Sequence, residues 1–334
     1  MSILKTPITV NGLKITNRLV MPPMATAKSN EDGTVSQKLC DYYAEKSSGG
    51  YIGLIIAEHS FINKVGKASD GQLSIDDNCD MTGLKALTDT IHQNGTKVFS
   101  QINHAGGATS SNITGHGLLS ASSVPMLRAK YIERLPKEMD CEDIKKVIHD
   151  FAAAAKRSKE AGFDGVEIHS AHGYLLNQFY SPLTNHRTDS YAGTTLAGRI
   201  KLHLEVVQAV REAVGTDYPV ALRLGACDYM DGGSTIEDAV EACIEFEKSG
   251  IDILDISGGF CGYVNPGVTE QGYFSEITQA IKEKVSIPII LTGGVVDAQA
   301  AEQLLESKKA DMIGVGRAIL KDSNWAKEAI SELN

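Results

Sequence analysis

The feature that most constrains the fold is a regular alternation of short apolar runs with amphipathic stretches along the chain. Eight runs rich in Val, Ile and Leu recur, at Arg18–Met21, Tyr51–Ala57, Lys97–Ile102, Gly165–Ile168, Pro219–Leu224, Ile251–Ile256, Ile287–Leu291 and Ala310–Val315. Continuous apolar runs are typical of parallel strands that are covered on both faces. Because helical periodicity fills most of the intervals, the sequence predicts repeated βα units.

The helices between the runs are predicted from their caps and apolar stripes. One helix begins after Asp140, where apolar residues recur at helical spacing, and Gly162 ends it. The stretch 80–95 has the same pattern, and Ser234 and Asp297 each begin a further helix. These helices form the outer ring of the predicted architecture.

Eight βα units that close on themselves give an α/β fold of the (β/α)8 TIM barrel type, with the doubly wound open sheet as the alternative. The chain has 334 residues, of which 42% are hydrophobic, and TIM barrels of this length occur as single domains. We therefore predict one domain over residues 1–334. The segment 108–139 is rich in Ser, Gly and Pro, which predicts either a lid over the barrel mouth or a surface insertion without a chemical role.

Charge and composition exclude several classes of partner. The formal net charge is −10 and no cluster of Lys and Arg is long enough to bind a phosphate backbone, so we expect no nucleic-acid partner. The sequence lacks a secretory signal and any apolar run of membrane-spanning length, so we expect a cytoplasmic protein with no membrane partner. The six cysteines are scattered singly, without the spacing of zinc or iron–sulfur ligands, and we expect buried thiols.

Polar residues and glycines follow the apolar runs, where the C-terminal ends of TIM-barrel strands form the active site. In chain order they are Pro22-Pro23-Met24, Glu58-His59, Gln101 to His104, His169 to Tyr174, Arg223, Ser257-Gly258-Gly259, Thr292-Gly293-Gly294 and Gly316-Arg317. This distribution predicts one polar mouth at one end of the barrel.

The last two strand ends predict a phosphate site. The glycines Gly293, Gly294 and Gly316 let backbone N–H groups approach an anion, and Arg317 adds a permanent cation with forked donors. The alternative is that the glycines only make tight turns and that Arg317 pairs with a carboxylate. A dinucleotide fingerprint is rejected, because the third glycine of that motif is missing after Gly316.

A pair of histidines and a tyrosine follow the fourth run. His169 and His172 stand three residues apart, whereas the histidines of a metalloprotease helix stand four apart with a glutamate between them. The spacing therefore does not favour a metal site. Together with Tyr174 the two rings would place several hydrogen-bond donors beside one mouth, able to hold a carbonyl oxygen and supply a proton. The alternative is that the histidines are structural.

The sequence resembles the old yellow enzyme family of NAD(P)H:flavin oxidoreductases along nearly its whole length. Five stretches carry the resemblance, namely NRLVMPPM from Asn17, SQINHAGG from Ser100, HSAHGYLLNQFYSPLTNHRTDSYAG from His169, ALRLGACDY from Ala221 and IGVGRAIL from Ile313. The resemblance implies a TIM barrel that binds FMN and takes electrons from NADH or NADPH. The residues assigned to the cofactor site are Pro23, Met24, Ala25, His59, Gln101, Arg223, Gly259, Gly293, Gly294, Gly316 and Arg317.

The resemblance also implies roles for individual residues. Gln101 would bind the pyrimidine edge of the flavin and Arg223 would stabilise negative charge near N1, while Arg317 would bind the phosphate. His169 and His172 would hold the carbonyl oxygen of an α,β-unsaturated substrate. Tyr174 would protonate the α-carbon after hydride reaches the β-carbon in a ping-pong reaction.

Three positions depart from the family pattern and concern the flavin and the pocket. Ala25 stands where many relatives carry cysteine or threonine, Ala27 where some carry tyrosine, and His59 replaces a small residue next to the ring. Two other functions stay open at this point: reduction mainly of nitro or quinone acceptors, and a flavin-binding redox sensor with little turnover. The sequence is also compatible with a homo-oligomer.

Overall fold

Strands and helices alternate along the chain as the apolar runs predict. The computed structural model describes residues 2–127 and 135–333. Its strands are β1 Ile8–Val10, β2 Leu13–Ile15, β3 Leu19–Met21, β4 Leu54–Ile56, β5 Ser60–Phe61, β6 Lys97–Asn103, β7 Leu119–Ser120, β8 Lys137–Glu138, β9 Gly165–Ser170, β10 Val220–Cys227, β11 Ile253–Gly258, β12 Ile289–Thr292 and β13 Met312–Gly314. Its α-helices are α1 Gln37–Ser47, α2 Met81–His92, α3 Ser111–Thr114, α4 Cys141–Glu160, α5 Leu175–Tyr180, α6 Leu196–Val214, α7 Ile236–Lys248, α8 Ser275–Lys282, α9 Ala298–Glu306, α10 Arg317–Lys321 and α11 Trp325–Glu332.

Eight parallel strands form a closed barrel. Going round it, the order is β3, β4, β6, β9, β10, β11, β12 and β13, and each of these strands contains residues of one predicted apolar run. The barrel closes because β13 pairs with β3, where Ile313 lies opposite Leu19 and Gly314 opposite Val20. The predicted TIM barrel is therefore confirmed, and the open doubly wound sheet is excluded.

The helix boundaries follow the predicted caps with one correction. Asp140 caps α4 through a capping box with Asp143, and Asp297 accepts a hydrogen bond from the Ala300 N–H at the start of α9. The prediction that Ser234 begins a helix was wrong by one residue, because Thr235 is the N-cap of α7. The Ser234 N–H instead donates to the Asp228 carboxylate at 2.9 Å.

An N-terminal hairpin, which the sequence analysis did not predict, closes the bottom of the barrel. Its strands β1 and β2 are antiparallel and are joined by Asn11 and Gly12, whose φ angles of 44° and 77° fit a type I′ turn. The buried side chains Val10 and Ile15 pack in one cluster with residues of the barrel interior, which are Val20, Leu54, Ile56, Phe99, Ala221, Ile253, Ile290 and Met312. The lower interior is thus a solid apolar core.

The excursion at 108–139 is packed onto the barrel at both of its described ends. The Ser120 hydroxyl donates to Gln178 Oε1 at 3.0 Å, and Arg187 donates to the carbonyl oxygens of Ala121 and Met139 at 3.1 and 2.7 Å. Residues 128–134 of the predicted lid lie outside the described part of the chain. A lid therefore stays a prediction.

The expectation of buried thiols is correct for Cys227 and Cys243 and wrong for Cys141, which is exposed at the first position of α4. The other three cysteines are half-buried. Of the helices in the described ranges, none combines the length and the hydropathy that crossing a lipid bilayer requires.

The hairpin generates a stability prediction. Ile15 is 0% exposed, so Ile15→Ala should lower the free energy of unfolding by about 2–5 kcal/mol, through lost apolar burial and the cavity that remains. Thr9→Ala in the adjacent strand is the control, because Thr9 is exposed and its loss should change stability by about 0.5 kcal/mol or less. Urea unfolding measures both, and equal effects would mean that the hairpin is not part of the core.

Candidate active site

Four polar rings meet at the C-terminal mouth of the barrel. The ring centroid of His169 lies 5.3 Å from that of His172 and 5.3 Å from that of Tyr174. The His59 ring, which follows β4, lies 5.4 Å from the Tyr174 ring. The structure therefore brings together the three predicted catalytic residues and adds His59 to them.

The loop after β9 is held in an unusual backbone shape by polar contacts. His172 and Gly173 have φ angles of 61° and 79°, in the left-handed region that ordinary side chains seldom adopt. The Gly173 N–H donates to Asn177 Oδ1 at 2.7 Å, and Gln178 donates to the Gly173 carbonyl oxygen at 2.7 Å. His172 Nε2 lies 2.8 Å from Ser257 Oγ, which orients the imidazole. Strain stored in this way is common at functional sites.

Above the apolar lower core, the barrel interior carries a layer of buried polar side chains from adjacent strands. Gln101 donates to Glu167 Oε1 at 2.7 Å. On the neighbouring strands, Arg223 Nε lies 3.2 Å from Asp255 Oδ2, and the Thr292 hydroxyl donates to Asp255 Oδ1 at 3.3 Å. Both acidic side chains are completely buried.

This layer contains two carboxyl groups and one guanidinium, so its charges do not balance if both acids are ionised. Burial, and secondly the nearby Asp255, raises the pKa of Glu167 well above its usual range. Burial also raises the pKa of Asp255, but Arg223 opposes that shift. We therefore assign Asp255 as the ionised partner of Arg223 and Glu167 as a neutral acid.

The predicted phosphate residues lie together at the ends of β12 and β13. Gly294 has a φ of 72°, and a Cβ atom there would lie 2.4 Å from the Tyr273 ring, so both backbone and packing require glycine. Arg317 is exposed and donates to the Tyr273 hydroxyl at 3.3 Å. No carboxylate of the described residues lies within ion-pair distance of Arg317, contrary to the alternative of a carboxylate partner.

The remaining predicted cofactor residues occupy the same end of the barrel. Pro23 and Met24 are half-buried beyond β3, and Ala25 is exposed. A Cβ atom on Gly316 would lie 3.4 Å from Met24 Sδ, so the ends of the first and last barrel strands adjoin. Gly259 has a packing reason of its own, because a Cβ there would lie 2.2 Å from Asp228 Oδ1. Its contact with a cofactor stays a prediction.

Several residues of this site were missed or passed over in the sequence analysis. Glu167 and Asp255 each interrupt an apolar strand with a charge, Asp255 in register with Arg223 and Glu167 in register with Gln101, and that pattern is visible in the sequence. Glu58 is 1% exposed and accepts a hydrogen bond from the Thr26 hydroxyl. Burial raises the pKa of Glu58 to about 7. In residues 2–127 and 135–333, no three His, Cys, Asp or Glu side chains form a group that could hold a metal ion.

Comparisons with known proteins identify the family of this chain. A model of the NADH:flavin oxidoreductase / NADH oxidase family matches residues 4–334. A NADPH dehydrogenase of Bacillus subtilis is 34% identical over 330 residues, which are 98% of this chain and 94% of that protein. The chain belongs to this family.

Two further relatives define how far the likeness extends. An NADH oxidase of Thermoanaerobacter brockii is 39% identical over 326 residues, which are 96% of this chain but 49% of that protein, so the chain spans about half of its length. The structure of an old yellow enzyme homologue from Zymomonas mobilis superposes with a TM-score of 0.85 at 24% identity, covering 99% of this chain and 93% of that one. The resemblance to old yellow enzyme and the barrel fold are thereby confirmed.

Membership of this family of oxidoreductases also confirms the predicted FMN cofactor. The residues present fit that group. Gly294 offers a close backbone approach beside an exposed arginine, and His169 Nδ1 is a buried atom without a hydrogen-bond partner in the described ranges. The rim therefore combines a close backbone approach beside a guanidinium with a cluster of polar rings, a combination that suits a phosphate-bearing flavin.

The position of Glu58 generates a prediction about pH. Its pKa is about 7 in the folded protein against 4.5 for the ordinary group, so folding binds a proton between these values and stability falls as pH rises through that window. The loss amounts to at most about 3 kcal/mol. Glu58→Gln should remove this component, so that its stability declines less than that of the wild type between pH 4.5 and 8. Urea unfolding at both pH values tests this.

Glu31→Gln is the matched control for that experiment, because Glu31 is exposed. It should keep the pH dependence of the wild type. An unchanged dependence in Glu58→Gln as well would show that Glu58 is ionised throughout the range.

Proposed function

We propose that this protein uses bound FMN and electrons from NADH or NADPH to reduce the activated carbon–carbon double bond of α,β-unsaturated carbonyl compounds. One observation carries the proposal: His169, His172 and Tyr174 converge at the barrel mouth, with ring centroids 5.3 Å apart around His169. Two imidazoles and a phenol in one mouth match a reaction that needs an oxygen held and a carbon protonated.

The histidine pair acts on the carbonyl oxygen. Burial lowers the pKa of His169 well below its usual range, and His172 and Arg223 lower it further, so His169 is a neutral donor. Its Nδ1 atom is buried without a partner in the described residues, whereas Nε2 is not among the buried unpaired atoms, so the ring would contact a substrate oxygen through Nε2. Ser257 orients the His172 ring, which supplies the second contact. Two donors on one oxygen polarise the conjugated double bond.

Tyr174 supplies the proton. Its ring centroid lies 5.3 Å from that of His169, so the phenol is within reach of a substrate held by the histidines and would face its α-carbon. A phenol ordinarily keeps its proton at neutral pH and can donate it to carbon as charge develops there. The double bond gains a hydride at the β-carbon and this proton at the α-carbon.

The other assigned residues hold the cofactor. When bound, FMN supplies the hydride chemistry, accepting two electrons from the nicotinamide and passing them to the substrate. Gly293, Gly294, Gly316 and Arg317 would bind its phosphate through backbone N–H groups and a guanidinium. The residues assigned to its ring are Pro23, Met24, Ala25, His59, Gln101 and Arg223, with Gly259 nearby. Arg223 is a buried cation that would lie beside the pyrimidine edge and stabilise negative charge there.

The setting of the reaction follows from composition. A net charge of −10 and the lack of a basic cluster support small molecules rather than nucleic acid as partners. We place the protein in the cytoplasm, and a homo-oligomer is compatible with the sequence.

An anaerobic titration tests the proposed function. Purified protein should show the visible flavin spectrum, NADH or NADPH should bleach it, and cyclohexenone should restore it in proportion to the amount added. If neither nicotinamide bleaches the flavin, the protein is a sensor or binding protein. If only nitro or quinone acceptors restore the colour, the substrate class is wrong.

Tyr174→Phe tests the proton donor, because it removes one hydroxyl and keeps the ring. Rapid mixing should show that bleaching by NAD(P)H keeps its wild-type rate, while reoxidation by cyclohexenone slows by roughly 10²–10⁴-fold. Nitroalkenes should be spared, since their nitronate product is stable without immediate protonation. Equal slowing of both half-reactions, or unchanged reoxidation by cyclohexenone, would contradict the role of Tyr174.

A further inference from the structure

His59, to which the proposed function gives a role only toward the flavin ring, stands in the mouth of the barrel beside residues proposed to bind the substrate. It follows β4, is 9% exposed, and its ring centroid lies 5.4 Å from that of Tyr174 and 6.1 Å from that of His169. Its ring therefore faces the same space as the proposed substrate residues.

The tautomer of His59 is fixed by Gln72. The Ala68 N–H can only donate, and it lies 2.7 Å from Gln72 Oε1, which settles the orientation of the Gln72 amide. Gln72 Nε2 must then be the atom that faces His59, where it donates to Nδ1 at 2.7 Å and to the carbonyl oxygen at 3.1 Å. Nδ1 is therefore an acceptor, and the ring proton is on Nε2.

The same contacts keep the ring neutral. A second proton on Nδ1 would point directly at the amide hydrogens of Gln72 and, at 3.5 Å, of Asn103. Burial, and secondly the charge of Arg223, lower the pKa of His59 to about 4. The charged and titratable groups around the ring are thus Arg223, His169 and Tyr174, and no carboxylate of the described residues forms an ion pair with it.

The Nε2–H group is a donor without an acceptor in the described protein. The bonds of His59 to Gln72 and Asn103 all involve Nδ1 or the backbone. His59 Nε2 is not among the buried polar atoms that lack a partner, so this N–H opens onto the mouth, where a bound ligand that offers an oxygen atom can accept from it.

We propose that His59 is a specificity-determining residue that binds a second acceptor oxygen on the substrate, favouring alkenes flanked by two carbonyl groups. This inference rests on the proposed function, in which His169 and His172 hold the first oxygen. His169 contacts the rings on both sides, His59 at 6.1 Å and His172 at 5.3 Å, so donors lie on either side of it. A substrate with a single carbonyl uses the His169–His172 end alone, and one with a second carbonyl also reaches His59.

The test compares two acceptors in the FMN-loaded protein. Ketoisophorone has a double bond between two carbonyl groups, and cyclohexenone has one carbonyl group. His59→Phe keeps an aromatic ring but removes the donor, so the ratio of kcat/KM for ketoisophorone to kcat/KM for cyclohexenone should fall by roughly tenfold, as expected for one lost hydrogen bond.

Gln72→Glu is the second variant, which keeps the histidine and changes only its tautomer. A carboxylate beside Nδ1 can only accept a hydrogen bond, so the proton of the neutral ring moves to Nδ1 and Nε2 becomes an acceptor. The preference for ketoisophorone should therefore fall here too. The ¹⁵N shifts of the His59 ring in the protein without FMN report the tautomer directly, and should show Nε2–H in the wild type and Nδ1–H in Gln72→Glu.

The outcomes separate the two proposals. If neither compound reoxidises the reduced wild-type protein, the proposed function fails. If both do so but His59→Phe slows them equally, leaves both unchanged or loses FMN, His59 serves the cofactor or the fold and the inference is overturned. An Nδ1–H ring in the wild type would also overturn it.

Discussion

The pairing of the first barrel strand with the last is the constraint on which the rest of this structure depends. Hydrogen bonds between β13 and β3 close eight parallel strands into a ring, so that every strand delivers its C-terminal residue to one rim. Residues that are hundreds of positions apart become neighbours there, as Met24 and Gly316 show. An open sheet with the same strands would leave these two residues at opposite edges, and the proposed ring and phosphate sites would not join.

Closure also divides the interior by height. The lower half is apolar and is completed by Val10 and Ile15 of the hairpin, which is where burial stabilises the fold. The upper half contains Gln101, Glu167 and the Arg223–Asp255 pair. Burying these polar and charged groups costs free energy, so this layer contributes little to the net stability of the fold. The polar layer supports the mouth above it, because its contacts hold the Arg223 guanidinium at a fixed depth beneath the rim. A neutral Glu167 leaves the local charge balance to Arg223 and Asp255 alone.

The sequence predicts the elements of this fold better than the contacts between them. Apolar runs and caps such as Asp140 act locally, so the strands and most helices could be assigned from short windows. The Asn11-Gly12 turn was equally local and was overlooked. The rim residues His169, His172 and Tyr174 could be grouped because a barrel sends all strand ends to one side. By contrast, the hydrogen bonds from Gln72 to His59 and from Arg317 to Tyr273 join separate loops, whose relative positions follow from packing and from no periodic pattern.

The hairpin that closes the lower end of the barrel also determines how reactants enter and leave the site. Val10 and Ile15 block the barrel axis at its lower end, and side chains fill the interior above them. The described residues therefore leave no passage into the barrel from below. In the proposed reaction, the electron donor and the electron acceptor would therefore enter and leave through the upper mouth, one after the other. Each reactant then competes with the other for the same site. An excess of either one should therefore inhibit turnover.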